Sequence, residues 1–465
     1  MEPPFDLPAD LDTPVSAFLK LADLEPRFLL ESVVGAERES RYSFLGFGPA
    51  RTLVLEDDAL LVDGARRPAP RTPAELFAVL RDSLARAPHL TPHVEGLPFS
   101  GGLVGATSYE LVGLLEGLTL ERRDPDTPLL SLLAPSALLV FDHLTRRVAL
   151  LVDGDESERQ ALRREVVKRL AGPIPDVPAR GGFSAPTESL PRAEYEAAVR
   201  LAKEDILAGE VYQLVLSSRF EGETDLDPLA VYRALRLLNP SPYMFLLRLG
   251  DQTVVGSSPE ALVRLEGRRA ELRPIAGTRP RGSDEPGDVA LAEELLGDEK
   301  EAAEHVMLVD LARNDLGRVA VPGSVKVKPY RTIERYSHVM HLVSGVKGLM
   351  DADKDAFDLF ASALPAGTVS GAPKVRALQR IDELEPVGRG LYAGAVGFFG
   401  HGGTAEQAIA IRTLVFRNGR YSYQAGAGIV ADSDPPSEHR EVLAKARAMR
   451  DALTLASEEL SRCAS

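Results

Sequence analysis

The chain has 465 residues, 44% of them hydrophobic, and its 54 basic against 69 acidic residues leave a net charge of −15. That size suits a large core in one large or two ordinary domains, and that acidity argues against non-specific nucleic-acid binding. A lone cysteine, Cys463, excludes a disulfide framework and a cysteine-based zinc site.

No apolar run reaches the roughly 18 residues of a membrane helix. The first residues carry neither the basic nor the apolar segment of a secretory signal, so no membrane association is expected and the expected compartment is the cytoplasm.

In chain order, residues 51–64 read as a hairpin turning on acidic residues. Residues 73–87 have helical spacing, 136–154 read as two strands with a turn near His143, and 156–172 read as a helix closed by a C-cap glycine. Residues 172–192 are rich in Pro and Gly without an apolar period and read as a linker or long surface loop. They separate an N-terminal region, 1–171, from a C-terminal region, 193–465.

Beyond the seam, 192–220 read as helix, glycine turn and strand, and 252–277 as strands. Residues 298–317 form a long amphipathic helix, 393–430 a set of glycine-punctuated strands, and 437–457 a closing helix. Helices and runs of strands alternate without βαβ spacing, which points to an α+β protein. The two regions can interleave, so the seam need not divide two bodies.

Two acidic sets stand out. Glu301, Glu304 and His305 share a helical face, as do Glu438, Glu441 and Lys445. Clustered carboxylates repel unless a proton or cation sits between them, and magnesium prefers such hard oxygen donors. For either set alone, a solvated helix face is the commoner meaning. Glycine is also dense near small polar residues at 274–279, 365–374 and 424–429. Glycine lets backbone N–H groups approach an anion, but no phosphate-loop or dinucleotide fingerprint is present, and each stretch alone reads as a turn.

Six stretches in fixed order are more specific: PIAGTRPRG, DEKEAAEHVMLVDLARNDLGR, HVMHLVSGVKG, LPAGTVSGAPKVRA, AIAIRT and QAGAGIVADSDPPSEHRE. Together they resemble the chorismate-utilising enzymes, which include anthranilate, aminodeoxychorismate, isochorismate and salicylate synthases. The likeness is dense over roughly residues 190–455.

The resemblance implies a four-layer α/β/β/α sandwich with two packed, largely antiparallel sheets. It implies Mg2+ as cofactor, contacted by Glu304 and Glu441 and supported by Glu301 and Glu438, with chorismate as substrate. Arg412, Tyr392 and the backbone of Gly426, Ala427 and Gly428 would hold the enolpyruvyl side chain, with Lys445 near a carboxylate. Gly277, Thr278 and Thr368 would line the ring pocket. Glu260 matches the glutamate that protonates the departing ring hydroxyl, and His341 the histidine implicated when pyruvate leaves. His338 is its neighbouring competitor, and a hydrogen-bonded structural residue is the plain alternative for either.

Within the family three features discriminate. Gln213 stands where members that add water carry lysine, and glutamine cannot activate water as a base. Ala276 stands where aminodeoxychorismate synthases carry a nucleophilic lysine. Both favour direct attack of ammonia and an anthranilate synthase. Leu30, Glu31, Ser32, Ser40 and Tyr42, with Asn239, Pro242, Tyr243, Met244 and Phe245, resemble a tryptophan feedback pocket in which aromatic and Met walls suit an indole and one carboxylate an ammonium; ordinary strand edges are the alternative. Cys463 lies in no nucleophile motif, so glutamine hydrolysis would need a small amidotransferase partner, in a heterotetramer. An aminodeoxychorismate synthase and a non-catalytic tryptophan sensor stay open as other readings.

Overall fold

The computed structural model describes residues 5–8, 10–33, 41–175, 181–335 and 339–462. Two long strands, Tyr42–Leu55 and Leu130–Asp142, form its spine, paired antiparallel from Tyr42↔Asp142 to Leu55↔Leu130. Leu130–Asp142 is buried at every position but Ser136, so it reads as an almost unbroken apolar run rather than an alternating one.

From this spine the hydrogen bonding runs two ways. One run passes through Pro26–Glu31, Tyr243–Leu249, Gln252–Ser258, Thr413–Arg417 and Arg420–Ile429 to Gln213–Glu223. The other passes through Gly102–Thr107, Ala395–Gly400, Thr404–Ile409, Ala261–Glu266 and Arg269–Leu272 to Val346–Leu349. Every pairing is antiparallel. The expectation of mixed helices and antiparallel strands is met, and among the described residues the hydrogen bonding joins 21 strands into one continuous network. A separate three-stranded sheet joins Ile275–Pro280, Val339–Val343 and Thr332–Arg335.

Strands from either side of residues 172–192 pair directly, as Phe28–Glu31 do with Met244–Leu247. Within the seam itself Thr187 and Glu188 pair with Glu221 and Phe220. Aromatic side chains from both regions share one core: Phe99 lies 4.7 Å from Phe398 and 5.7 Å edge-on from Phe44.

Helices cover the ends of the two runs. Pro435–Arg462 packs on Arg420–Ile429 beside Pro228–Leu238 and Arg192–Leu207; Glu299–Gly317 and Ala356–Ala363 pack on strands of the second run. The expected hairpins at 51–64 and 136–154 and the helices at 73–87, 192–207, 298–317 and 437–457 are present. The helix Glu156–Leu170 departs in detail: its C-cap is Ala171 in right-handed conformation, not a glycine. Among the described residues no helix is long and apolar enough to cross a membrane. His338, Ser40 and Cys463 lie outside the described residues.

Candidate active site

Two short links carry the chain from one run of strands to the other, and each bears a charged side chain. Pro259-Glu260 joins Gln252–Ser258 to Ala261–Glu266, and Ala410–Arg412 joins Thr404–Ile409 to Thr413–Arg417. The links lie side by side: Ile409 N donates to Glu260 O at 3.0 Å and Ser257 N to Arg412 O at 3.1 Å. Arg412 takes a left-handed φ of 50°, a strained setting for a residue with a Cβ.

Glu260 is 8% exposed. Burial pushes its carboxyl up to about 8, against the hydrogen bond from Thr368 and the charges of Lys445 and Arg412. Thr368 Oγ1 donates to Glu260 Oε1 at 2.9 Å from the short 3₁₀ turn Gly367–Val369. Glu260 is therefore largely a neutral acid near pH 7, held by a hydroxyl that will also stabilise its anion. Burial lowers the affinity of Arg412 for its proton, and Glu260 opposes that loss. Such a guanidinium suits an incoming carboxylate.

The backbone opposite is narrow by construction. Gly426 and Gly428 face Ser217 and Val215 across the strand pair. A Cβ on Gly426 would lie 2.6 Å from the Tyr392 hydroxyl, and one on Gly428 2.6 Å from Gln213 Nε2. Both positions thus need glycine for close approach. Ala427, between them, is fully buried in the core. Lys445 Nζ donates to Gly426 O at 3.1 Å and pairs with Glu441 at 2.8 Å, tying the closing helix to this strand.

The three-stranded sheet supplies the next wall. Thr278 pairs with His341 across it, with a bulge at Gly277. His341 Nδ1 lies 3.0 Å from Thr278 Oγ1 and 3.3 Å from Gly277 O. Burial pushes the imidazole below its ordinary range, so it is neutral near pH 7. Gly277 has φ 62°, and a Cβ there would meet Leu295 at 2.8 Å and Glu301 Oε2 at 3.0 Å.

The two glutamate sets face each other across this space. Burial raises the Glu304 carboxyl, then Glu301 and Glu441 raise it further. Burial likewise raises Glu438, and Glu441 adds to it. Gln213 Nε2 donates weakly to Glu304 at 3.4 Å, while Gln213 Oε1 is buried without a hydrogen-bond partner. Among the described residues no three Asp, Glu, His or Cys side chains converge as a ready ligand set. Magnesium commonly takes one or two carboxylates and completes its shell with substrate and water, so opposed, mutually repelling glutamates fit it.

His305, which shares a helix with Glu301 and Glu304, is turned into the core instead. Its Nε2 meets Ser344 Oγ at 2.7 Å, and burial pushes it down to about 4. Sequence reasoning missed Arg279, which bonds Glu294, Asp298 and Glu301 and so anchors Glu301; its place in TRPRG was the available signal.

A second cavity lies on the other side of Glu260. Leu30, Glu31, Ser32, Tyr42, Pro242, Tyr243, Met244 and Phe245 line it, together with Pro259, Ala261, Ile275 and Phe398. Asn239 is not in its wall and donates to Ser257 Oγ at 3.1 Å. Glu31 is already engaged, accepting from the Tyr232 hydroxyl and lying 3.3 Å from Arg236 Nε.

The family model for chorismate binding enzymes matches residues 25–451. Anthranilate synthase component 1 of Thermus thermophilus is 47% identical over 453 residues, covering 96% of each chain. The Pseudomonas aeruginosa protein of the same name is 45% identical over 475 residues, covering 98% of this chain and 96% of its own. The crystal structure of anthranilate synthase component I from Streptococcus pneumoniae TIGR4 superposes with a TM-score of 0.79 at 36% identity, covering 88% of this chain and 92% of that one. The chain belongs to the chorismate binding enzymes and, within them, to the anthranilate synthase component 1 proteins.

Proposed function

We propose that this chain is the large subunit of an anthranilate synthase, converting chorismate and ammonia to anthranilate and pyruvate. The observation that carries the reading is a buried, largely protonated Glu260 held by Thr368 beside the guanidinium of Arg412. Family membership and near full-length likeness to component 1 proteins support it.

Arg412, Tyr392 and the Gly426–Gly428 strand orient the enolpyruvyl group. Glu260 gives its proton to the ring hydroxyl leaving carbon 4 as ammonia adds at carbon 2, which gives 2-amino-2-deoxyisochorismate and water. Thr368 then stabilises the carboxylate left behind. His341, with Nδ1 donating to Gly277 O, presents Nε2 as a base for the carbon 2 proton. Loss of that proton and transfer of one to the enolpyruvyl methylene release pyruvate and leave an aromatic ring. Glu304 and Glu441, with Glu301 and Glu438 behind them, would hold Mg2+, which supplies positive charge for the ring carboxylate. Gln213 and the buried Ala276 leave the site without the lysines expected for water addition or covalent attack.

The second cavity is proposed as a tryptophan feedback site. Pro259 and Ala261, which line it, flank Glu260 in sequence, and Ile275 lies two residues from Gly277. An occupant that shifts these residues disturbs both walls of the active site. Glutamine-derived ammonia would come from a separate small amidotransferase subunit, the pair assembling as a heterotetramer.

The test is the purified chain with chorismate, ammonium and Mg2+. Anthranilate fluorescence and pyruvate should appear together, and tryptophan should suppress both. A chain that binds chorismate and yields neither product overturns the reading. An aminated product formed without pyruvate would favour an aminodeoxychorismate synthase.

A further inference from the structure

Glu385 and Arg389 fall in none of the stretches that marked the site, yet their hydrogen bonds end on two elements beside it, the strand Gln213–Glu223 and the turn Gly367–Val369, and Arg389 also lies over the Tyr392 ring. Both side chains are buried, at 3% and 4% exposure. Glu385 Oε1 accepts from Ser217 N at 2.8 Å and from Ser217 Oγ at 2.7 Å. Ser217 is the cross-strand partner of Gly426.

Arg389 bonds Glu385 through Nε at 2.8 Å and Nη2 at 2.6 Å. It also donates to Val215 O and Val369 O, each at 2.7 Å. Val215 lies opposite Gly428, and Val369 follows Thr368 in the chain. The guanidinium lies 5.5 Å from the Tyr392 ring centroid and 4.8 Å from that of Tyr109. A buried ion pair is a weak way to add stability, but a planar group with five donors is well suited to fixing several elements at once.

We propose that Glu385 and Arg389 are positioning residues, a buried clamp that holds Thr368, the Gly426–Gly428 strand and Tyr392 in register around chorismate. The proposal rests on the site assigned under the proposed function. A lysine at 389 presents three donors from one point and cannot reach both carbonyls, both carboxylate oxygens and the two rings together.

The test compares Arg389→Lys and Glu385→Gln with the unaltered chain, using chorismate, ammonium and Mg2+, with the folded fraction followed by circular dichroism. In folded Arg389→Lys, kcat should fall about tenfold or more, the scale of a slight misplacement of reacting groups. The alkaline limb of its kcat–pH profile should move to higher pH, in the same sense as Thr368→Ala, because Thr368 no longer bears on Glu260. Calorimetry should show weaker chorismate binding. Unchanged kcat, pH limb and affinity would overturn the clamp. So would a loss of activity that matches the loss of folded protein with no movement of the limb. If Arg389→Lys does not fold, Glu385→Gln decides, since it keeps an acceptor for Ser217 and should shift the same quantities by less. A chain that binds chorismate without making anthranilate counts against the proposed reaction, and the calorimetric comparison then judges the clamp alone.

Discussion

Replacing Glu260 by glutamine should abolish turnover and at the same time stabilise the protein in alkaline solution. The usual carboxyl value of 4.5 applies to the unfolded chain, whereas burial holds the folded group at about 8. The folded carboxyl is therefore the one that keeps its proton. Below about pH 4.5 both states are protonated and the group favours neither. As pH rises from there to about 8, the unfolded chain loses the proton and the folded chain does not, so stability falls with pH across that window. Each pH unit is worth about 1.4 kcal/mol, which gives a loss of about 3–5 kcal/mol by pH 8. Glutamine has no proton to lose, and its carbonyl can still accept from Thr368. The variant should therefore gain on the parent by that amount. For a chain of 465 residues the unfolding entropy is roughly 1 kcal/mol per degree, so the midpoint should be about 3–5 °C higher at pH 8 and level at pH 4.5. Thermal melts of both proteins at four or five pH values read the difference directly. Other groups that titrate in this range, such as the buried Glu110, are common to both chains and cancel. A difference that stays flat from pH 4.5 to 8 would refute the assignment of Glu260 as a buried neutral acid.

Thr368→Ala removes a hydrogen bond that lowers the Glu260 carboxyl, so the alkaline limb of the kcat profile should rise by about one to two pH units, from the ~1.5–3 kcal/mol of a bond to a charged group; a downward move would contradict the sign. Glu441→Gln should reduce Mg2+-dependent turnover about a hundredfold or more, since even outer-shell partners of a metal cost 10–100-fold. Full activity at the same Mg2+ concentration would remove Glu441 from the metal site. Met244→Thr or Ser32→Ala, in the wall of the second cavity, should raise the tryptophan concentration for half inhibition about tenfold or more while sparing uninhibited turnover, the size of roughly 1.4 kcal/mol of lost contact. Unchanged inhibition would put the regulatory site elsewhere.

Much of the fold was legible because its signals are local. The hairpins at 51–64 and 136–154 and the capped helices show themselves as alternation, turn residues and helical spacing. What escaped was the route of the strands between them. Phe28–Glu31 pair with residues more than two hundred positions away, and no local pattern encodes such a register. The six ordered stretches brought His341, Thr368 and Arg412 to attention, and the resemblance they carry brought Glu260, but only packing could separate neighbours of like chemistry. Glu304 faces Gln213 while His305, one residue on, is bonded to Ser344. Glu31 looked like a receptor for an ammonium group and proves to be held by Tyr232 and Arg236. Arg389 left no trace in the sequence because the hydrogen bonds that tie it to the site, to Val215 O and Val369 O, end on backbone carbonyls, which every residue possesses.

The same packing explains why the site is costly to the fold when considered without a ligand. Glu260 is buried far from its ordinary ionisation, Arg412 is desolvated, and Glu304 and Glu438 are raised by burial and by neighbouring carboxylates. Each of these settings destabilises the isolated chain, and none improves its core. Their requirements are complementary. Arg412 needs an anion, the opposed glutamates need a cation, and Glu260 needs a group to which it can give its proton. A dianionic substrate bound with a divalent metal and carrying a hydroxyl leaving group meets all three at once. A chain of net charge −15 repels such a dianion at long range. Its affinity must then come from within the site, which is where the molecule has placed its least comfortable charges.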